Sequence, residues 1–377
     1  MDRIYLDHAA TTPIDPEVVD VMAETMRTYP GNPSSIHREG RTARARIEEA
    51  RKDIAGLLNA SIGEIFFTSC GTESNNMALK CAVRDLGVQR IISTRTEHHA
   101  VLHTVQRLEG EGVQIEFVSQ EANGKVDLEH LQELLEQSGV PKTLVSLMHA
   151  NNEIGTMLPL DQVARLCAEK GALFHTDTVQ TMGYFPIDLD QTPISFLTGS
   201  AHKFYGPKGV GFVYINGDNL IKPFIDGGAQ ERNMRGGTEN LYGIVGMATA
   251  LKKKMELREA QEQHIRNLRD HLLKGLQERI PGIAFNGDPF GESHYKILSV
   301  NFPASAKSDM LLLNYDIEGI SVSGGSACSS GADAGSHVLD ALKPGDPATT
   351  IRFSFSHHNT LQEMERVLEV TEKLLVD

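Results

Sequence analysis

The chain has 377 residues, 40 % of them apolar and 23 % charged, and no tryptophan; that balance excludes a disordered or fibrous protein, and the length calls for two domains or three. Its 36 basic and 50 acidic residues leave a net charge of −14, which disfavours nucleic acid or an anionic membrane as the main partner, so an anionic ligand needs a dedicated pocket. Four cysteines, Cys70, Cys81, Cys167 and Cys328, show no C-x-x-C spacing, so neither a metal held by this chain alone nor a disulfide scaffold is expected.

In chain order, the opening "MDRIYLDHAATT" lacks a basic stretch followed by an apolar core, and nothing later approaches the ~18 apolar residues of a membrane span. A reduced, cytoplasmic protein is expected. The stretch "GRTARARIEEARKDIAGLL" (Gly40 to Leu58) carries its apolar residues at helical spacing. Short apolar runs then alternate with helical patterns: "EIFFTS" (Glu64 to Ser69), "RIIST", "VQIEFV", "TLVSLM", "ALFHTD", "ISFLTGS" and "GVGFVYI", with "DLEHLQELLEQ" and "PLDQVARLCAEK" among the helices between them. That rhythm predicts βαβ units and a mainly parallel sheet. From Asn240 to about Glu278 one helical pattern runs without proline to "RIPG" and is expected to bridge two domains. After it come "YKILSVNF", a short helical piece at "SDMLLLNY", the glycine–serine loop "SVSGGSACSSG", "TTIRFSF" and a closing helix from Thr360.

The expected fold class is therefore α/β. A large domain, residues 15–255, has a mainly parallel central sheet flanked by helices; a smaller α+β C-terminal domain covers 256–377, and segment 1–14 joins the two. In such sheets ligands collect where strands end and helices begin, so the polar residues there are the candidates.

"FFTSCGTESNN" passes from a strand through Cys70, Gly71 and Thr72 into a helix, offering backbone N–H groups, a hydroxyl and a positive dipole end to a phosphate; the plain alternative is a helix cap by Thr72. In "TGSAHKFYGPKG", Lys203 stands between His202 and Phe204, and partial removal from water would free its amine as a nucleophile or base, whereas Lys208 in the next turn is the ordinary surface comparison. "FHTDTVQ" ends a strand with Asp177, which can hold a protonated ring nitrogen, with Gln180 three residues on; the alternative is an N-cap. "TEHHAVL" places His98 and His99 after another strand, and a regular backbone aims only one of them at a ligand, His98 being favoured. A phosphate cradle, an amine, a carboxylate and a flanking imidazole together make the inventory of a pyridoxal 5'-phosphate site. Cys328 sits among glycines and serines with nothing apolar to bury it, which argues against a packing role.

With these residues in hand, the chain resembles the cysteine desulfurases of the nitrogen-fixation and iron–sulfur-assembly kind, fold-type I pyridoxal-phosphate enzymes of the class V aminotransferase superfamily. The resemblance runs nearly end to end through "YLDHAATTP", "GNPSSIH", "GTESNN", "TEHHAVL", "NNEIG", "DTVQ", "SAHKFYGPKG", "GGAQERNMRGGTEN", "SGGSACSSG", "SHVL" and "IRFSF", and the cysteine loop is similar to that of the long-loop branch. The resemblance implies that Lys203 attaches covalently to the cofactor, His98 stacks on its ring, Asp177 holds the pyridine nitrogen and Gln180 contacts the ring oxygen. It implies that Thr72, Ser200 and His202 bind the phosphate with the backbone at Gly71, while Thr238 reaches the phosphate of a neighbouring subunit, which makes a homodimer the working unit. Asn152 and Arg352 would hold the substrate carboxylate. L-cysteine would be converted to L-alanine, its sulfur passing to Cys328 as a persulfide and then to an acceptor protein such as an iron–sulfur scaffold or a tRNA-thiolation enzyme.

The sequence departs from the family's commonest pattern at Ser356-His357-His358, at "SGADAGSHVL", at Thr178 and at Cys70, which is expected to be a buried small residue. Competing readings are a selenocysteine lyase or another pyridoxal-phosphate lyase or aminotransferase, and a catalytically idle homologue that binds partners. The mobile thiol expected at Cys328 separates the first from a desulfurase, and retention of both Lys203 and Cys328 argues against the second. No metal site is expected, because adjacent His357 and His358 are poor shared ligands.

Overall fold

Runs of β-branched and aromatic residues buried on both faces build the centre of the molecule. The computed structural model describes residues 3–137, 139, 141–305, 307–324 and 335–375. Its strands are β1 (Ile4–Tyr5), β2 (Ile65–Thr68), β3 (Arg90–Ser93), β4 (Gln114–Phe117), β5 (Thr143–Ser146), β6 (Leu173–Asp177), β7 (Phe196–Ser200), β8 (Gly211–Ile215), β9 (Ala284–Asn286), β10 (Ile297–Phe302), β11 (Ile320–Ser321) and β12 (Thr349–Ser354). Seven of them form one sheet in the order β2-β8-β7-β6-β5-β3-β4. Only β8 runs antiparallel to its neighbours.

The period of two along each strand divides the core. Ile65, Phe67, Ile92, Val145, Leu197 and Phe212 face one hydrophobic cluster, while Phe66, Ile91, Leu144, Phe196 and Val213 face the other. The second cluster is completed by Met77, Ala78, Val101 and Val105 from helices Gly71–Leu86 and His99–Gly110, and the first by helices that include Arg38–Leu57 and Leu160–Glu169. A sheet covered on both sides explains why its strands read as continuous apolar runs.

Close packing reaches the backbone at Gly199 in β7, where an added Cβ would lie 2.3 Å from Cε1 of Phe212. Gly199→Ala is expected to lower the unfolding free energy by about 1–3 kcal/mol through overpacking, measured as a drop in the urea midpoint at unchanged slope.

A second sheet, β12-β10-β9, is antiparallel throughout. The N-terminal segment lies against it: β1 pairs with β11, Leu6 N donates to Ser321 O, and Asp7 bridges to Ser354 of β12. The single helix expected from Asn240 to Glu278 is two, Leu241–Glu256 and Arg258–Arg279, broken at Leu257 with φ −98° and ψ 5°. The first packs on helices Pro16–Thr28 and Arg38–Leu57, and the second on the closing helix Leu361–Leu375 and on β10. Two different partners require two axes, and neither proline nor glycine marks the change of direction.

Candidate active site

Because β2, β3, β5, β6 and β7 are mutually parallel, their C-terminal ends open on one edge of the sheet, as the switch from strand to helix requires. A cavity of about 410 Å³ lies there. It is lined by Gly71, Thr72, His98, Asn152, Asp177, Gln180, Ser200, His202, Lys203 and Arg352, so ten of the expected site residues, drawn from distant parts of the chain, share one wall. Thr238 lies apart, in a smaller cavity of about 110 Å³ beside Glu231 and Arg235. Cys328 lies outside the described residues.

The helix after β2 starts at Gly71, with Cys70 as an extended N-cap residue whose side chain makes no capping bond. Thr72 therefore does not cap the helix, and the first-turn N–H groups keep their positive end toward the cavity wall. Glu73 reaches back to Ser69 N at 2.9 Å and pairs with Arg235 at 2.8 Å. A Cβ on Gly71 would approach Val179 Cγ2 to 2.7 Å, so only glycine fits this turn. Cys70, expected to be buried, is half-buried and lines the cavity, because the extended cap leaves its side chain short of the packed helix face.

Ser200 closes β7 at 1 % exposure, and its Oγ is buried without a hydrogen-bond partner. The chain then makes a single 3-10 turn, Ala201–Lys203. Lys203 Nζ donates to Ala9 O at 2.6 Å and to Ala10 O at 2.8 Å. His202 Nδ1 is 3.2 Å from Thr11 Oγ1, and burial followed by the charges of Lys203 and Lys208 pulls its pKa down to about 3. The imidazole is thus neutral and can act as a hydrogen-bond partner without charge.

Asp177, at the end of β6, accepts from Asn75 Nδ2 at 2.7 Å and from Val179 N at 2.9 Å. Asn75 is held in turn by His175 Nε2 at 3.2 Å, whose Nδ1 lies 2.8 Å from Ser146 Oγ. The carboxylate is thereby oriented with acceptor capacity to spare. Gln180 donates through Nε2 to Ala9 O at 3.0 Å, and its Oε1 is buried without a partner. Thr178, a departure from the family pattern, gives its hydroxyl to Thr198 O at 2.7 Å.

His98 is the N-cap of helix His99–Gly110, its Nδ1 accepting from Ala100 N at 3.1 Å. The neutral ring therefore carries its proton on Nε2. Burial lowers its pKa, opposed by the charge of Asp177. His99 also lines the cavity, its Nε2 3.0 Å from His337 Nδ1, and its ring stands at 74° to that of His98. Both histidines line the cavity, and the backbone is not regular there, since His98 is an N-cap with φ −57° and ψ 145° ahead of the helix that starts at His99.

The unpartnered Ser200 Oγ and Gln180 Oε1, the uncapped helix start, the glycine-only turn at Gly71 and the paired carboxylate of Asp177 fit a phosphorylated pyridine aldehyde: anion donors at one end, a carboxylate for a ring nitrogen, and a primary amine. Asn75, Met148, Glu153 and His337 also line the cavity and were not singled out from the sequence. The motifs "GTESNN", "NNEIG" and "SHVL" held three of them, but no spacing rule marks which letter turns inward.

Glu97 stands beside His98 at 1 % exposure; its Oε1 accepts from Met148 N at 2.9 Å while Oε2 has no partner. Burial, opposed by the Met148 bond and reinforced by the charge of Asp177, pushes its carboxyl from the ordinary 4.5 up to about 8. Between those values the unfolded chain has released a proton that the folded chain keeps, so stability falls as pH rises through the window. Glu97→Gln mimics the protonated acid. The variant is expected to match the parent near pH 5 and to exceed it above pH 8 by roughly 2–4 kcal/mol in urea unfolding.

The chain is similar to known proteins over nearly its whole length. The model of the family described as aminotransferase class-V matches residues 4–367. A "Cysteine desulfurase IscS" of Dictyoglomus turgidum is 41 % identical over 378 residues, covering 99 % of this chain and 94 % of that protein. A "Putative cysteine desulfurase IscS 1" of Bacillus subtilis is 42 % identical over 373 residues, covering 97 % and 96 %. A solved "NifS-like protein" superposes with a TM-score of 0.90 at 37 % identity, covering 99 % of each chain.

Proposed function

The chain belongs to the aminotransferase class-V family, and we propose that it is a pyridoxal-phosphate-dependent cysteine desulfurase that turns L-cysteine into L-alanine and passes the sulfur to Cys328. The observation that carries the reading is the convergence of Lys203, Asp177, Ser200, His98 and Arg352 on one cavity in a chain about 40 % identical to cysteine desulfurases over nearly its whole length.

When bound, pyridoxal phosphate supplies an aldehyde for amines and a sink for electrons released at the substrate's α-carbon. Gly71, Thr72, Ser200 and His202 would hold the phosphate, and Asp177 the ring nitrogen, with Gln180 at the ring oxygen. His98 would lie on the ring, and its neutral form can hold or release a proton at Nε2. Arg352 and Asn152 would fix the substrate carboxylate, the guanidinium because its planar fork matches two oxygens. Lys203 Nζ takes the proton from the substrate's α-carbon and returns it as alanine forms.

The Cys328 thiolate attacks the substrate sulfur. A sulfur–sulfur bond forms as the carbon–sulfur bond breaks, the electron pair of the latter stays with the carbon fragment, and protonation of that fragment gives alanine. The persulfide left on Cys328 then yields its outer sulfur to an acceptor thiol, or to a reducing thiol as sulfide. An ordinary cysteine pKa near ~8.5 leaves only a minority of thiolate at neutral pH, so a nearby base would speed the step.

The reading extends to a homodimer, supported by the position of Thr238 away from its own chain's cavity and by exposed Ile36 and Leu220, 90 % and 79 % accessible. It takes residues 15–255 and 256–377 as two domains joined by segment 1–14, supported by the helix break at Leu257 and the separate second sheet. It places the protein in the reducing cytoplasm, where persulfide turnover has thiols at hand, with an iron–sulfur scaffold or a tRNA-thiolation enzyme as acceptor. No helix among the described residues is long and apolar enough to cross a membrane. Incubation of the purified holoprotein with L-cysteine and a reducing thiol tests the function: equal amounts of alanine and sulfide support it, and pyruvate with sulfide would replace it by β-elimination.

A further inference from the structure

The N-terminal segment ties the two halves of the cavity together. Arg352 of β12 is 1 % exposed; one terminal nitrogen donates to Asp7 Oδ1 and the other to Asn152 O, both at 2.8 Å, while its buried Nε has no partner. The backbone around Asp7 is pinned on both sides, by Leu6 N to Ser321 O at 2.9 Å and by Ser354 N to Leu6 O at 2.7 Å. Two residues on, Ala9 O accepts from both Lys203 Nζ and Gln180 Nε2.

A guanidinium held by one main-chain acceptor can turn about that bond. A second, charged acceptor on a fixed backbone sets its plane, and a charge-assisted bond is about twice as strong as a neutral one. We propose that Asp7 is a positioning residue for the substrate carboxylate: it holds the Arg352 fork so that the N–H groups left over face the cavity, from the same segment whose Ala9 carbonyl holds Lys203. The proposal rests on Arg352 as the carboxylate anchor of the reading above. It makes the aim of Arg352 depend on the N-terminal segment, which pairs alongside its own strand at Ser354.

The test titrates the holoenzyme with L-alanine, with L-cysteine and with cysteamine, which lacks the carboxylate, following the absorbance of the bound cofactor. Asp7→Ala is expected to weaken both amino acids by about tenfold and to leave cysteamine affinity and cofactor content unchanged, with KM for cysteine rising by the same factor and kcat nearly constant. Asp7→Asn, which keeps an acceptor of the same shape, is expected to fall between, at about threefold. Equal weakening of all three ligands, or amino-acid affinities unchanged in both variants, would overturn the proposal. A parent protein that binds both amino acids yet makes no alanine from cysteine would overturn the desulfurase reading instead, and the Asp7 comparison would still be decided by L-alanine against cysteamine.

Discussion

Lys203→Ala is expected to abolish covalently held cofactor and to lower alanine formation from L-cysteine by at least about 10³-fold, because it removes both the attaching amine and the carrier of the α-proton. The placement of the residue makes the effect specific. The turn Ala201–Lys203 follows β7 directly, and the amine extends to the carbonyls of Ala9 and Ala10 inside the cavity. Lys208, five residues on, is exposed, and Lys208→Ala is expected to behave as the parent in both assays. Absorbance of the lysine-bound cofactor and alanine yield are the two readouts, and a Lys203→Ala protein that retains either at the parent level contradicts the role.

Cys328→Ser is expected to keep cofactor content and L-cysteine binding within about twofold and to reduce sulfide release below detection, since a hydroxyl at neutral pH is a far weaker nucleophile than a thiolate. The other cysteines offer no obvious substitute. Cys81 and Cys167 are fully buried and their thiols are pushed up to about 12 by burial, leaving them protonated at neutral pH. Cys70 is the one to compare, because it lines the cavity. Cys70→Ser is expected to retain most of the activity, whereas a loss as deep as that of Cys328→Ser would move the sulfur chemistry to the helix N-cap.

The central sheet could be read from the sequence because strands buried on both faces are unbroken apolar runs, and all seven runs from "EIFFTS" to "GVGFVYI" contain its strands. The polar residues at their ends followed from topology, which explains why Gly71, Asp177 and Lys203 could be named from the residues alone, whereas Ser200 followed only from the family resemblance. What was missed depended on tertiary contacts. Leu257 breaks a helix without proline or glycine, since the cause is a change of packing partner. His99 reaches the cavity because the backbone turns at a cap, and no residue type announces that bend. The support of Asp177 by Asn75 and His175, and of Arg352 by Asp7, joins residues 102 and 345 positions apart, separations at which only the folded chain brings partners together.

The most direct test of sulfur transfer mixes the holoprotein with one equivalent of L-cysteine in the absence of added thiol, quantifies alanine, and weighs the peptide that carries Cys328. The account predicts alanine in step with a Cys328 peptide heavier by one sulfur atom, a mass gain that a reducing thiol removes as sulfide. Alanine or sulfide formed while that peptide keeps its original mass would contradict it.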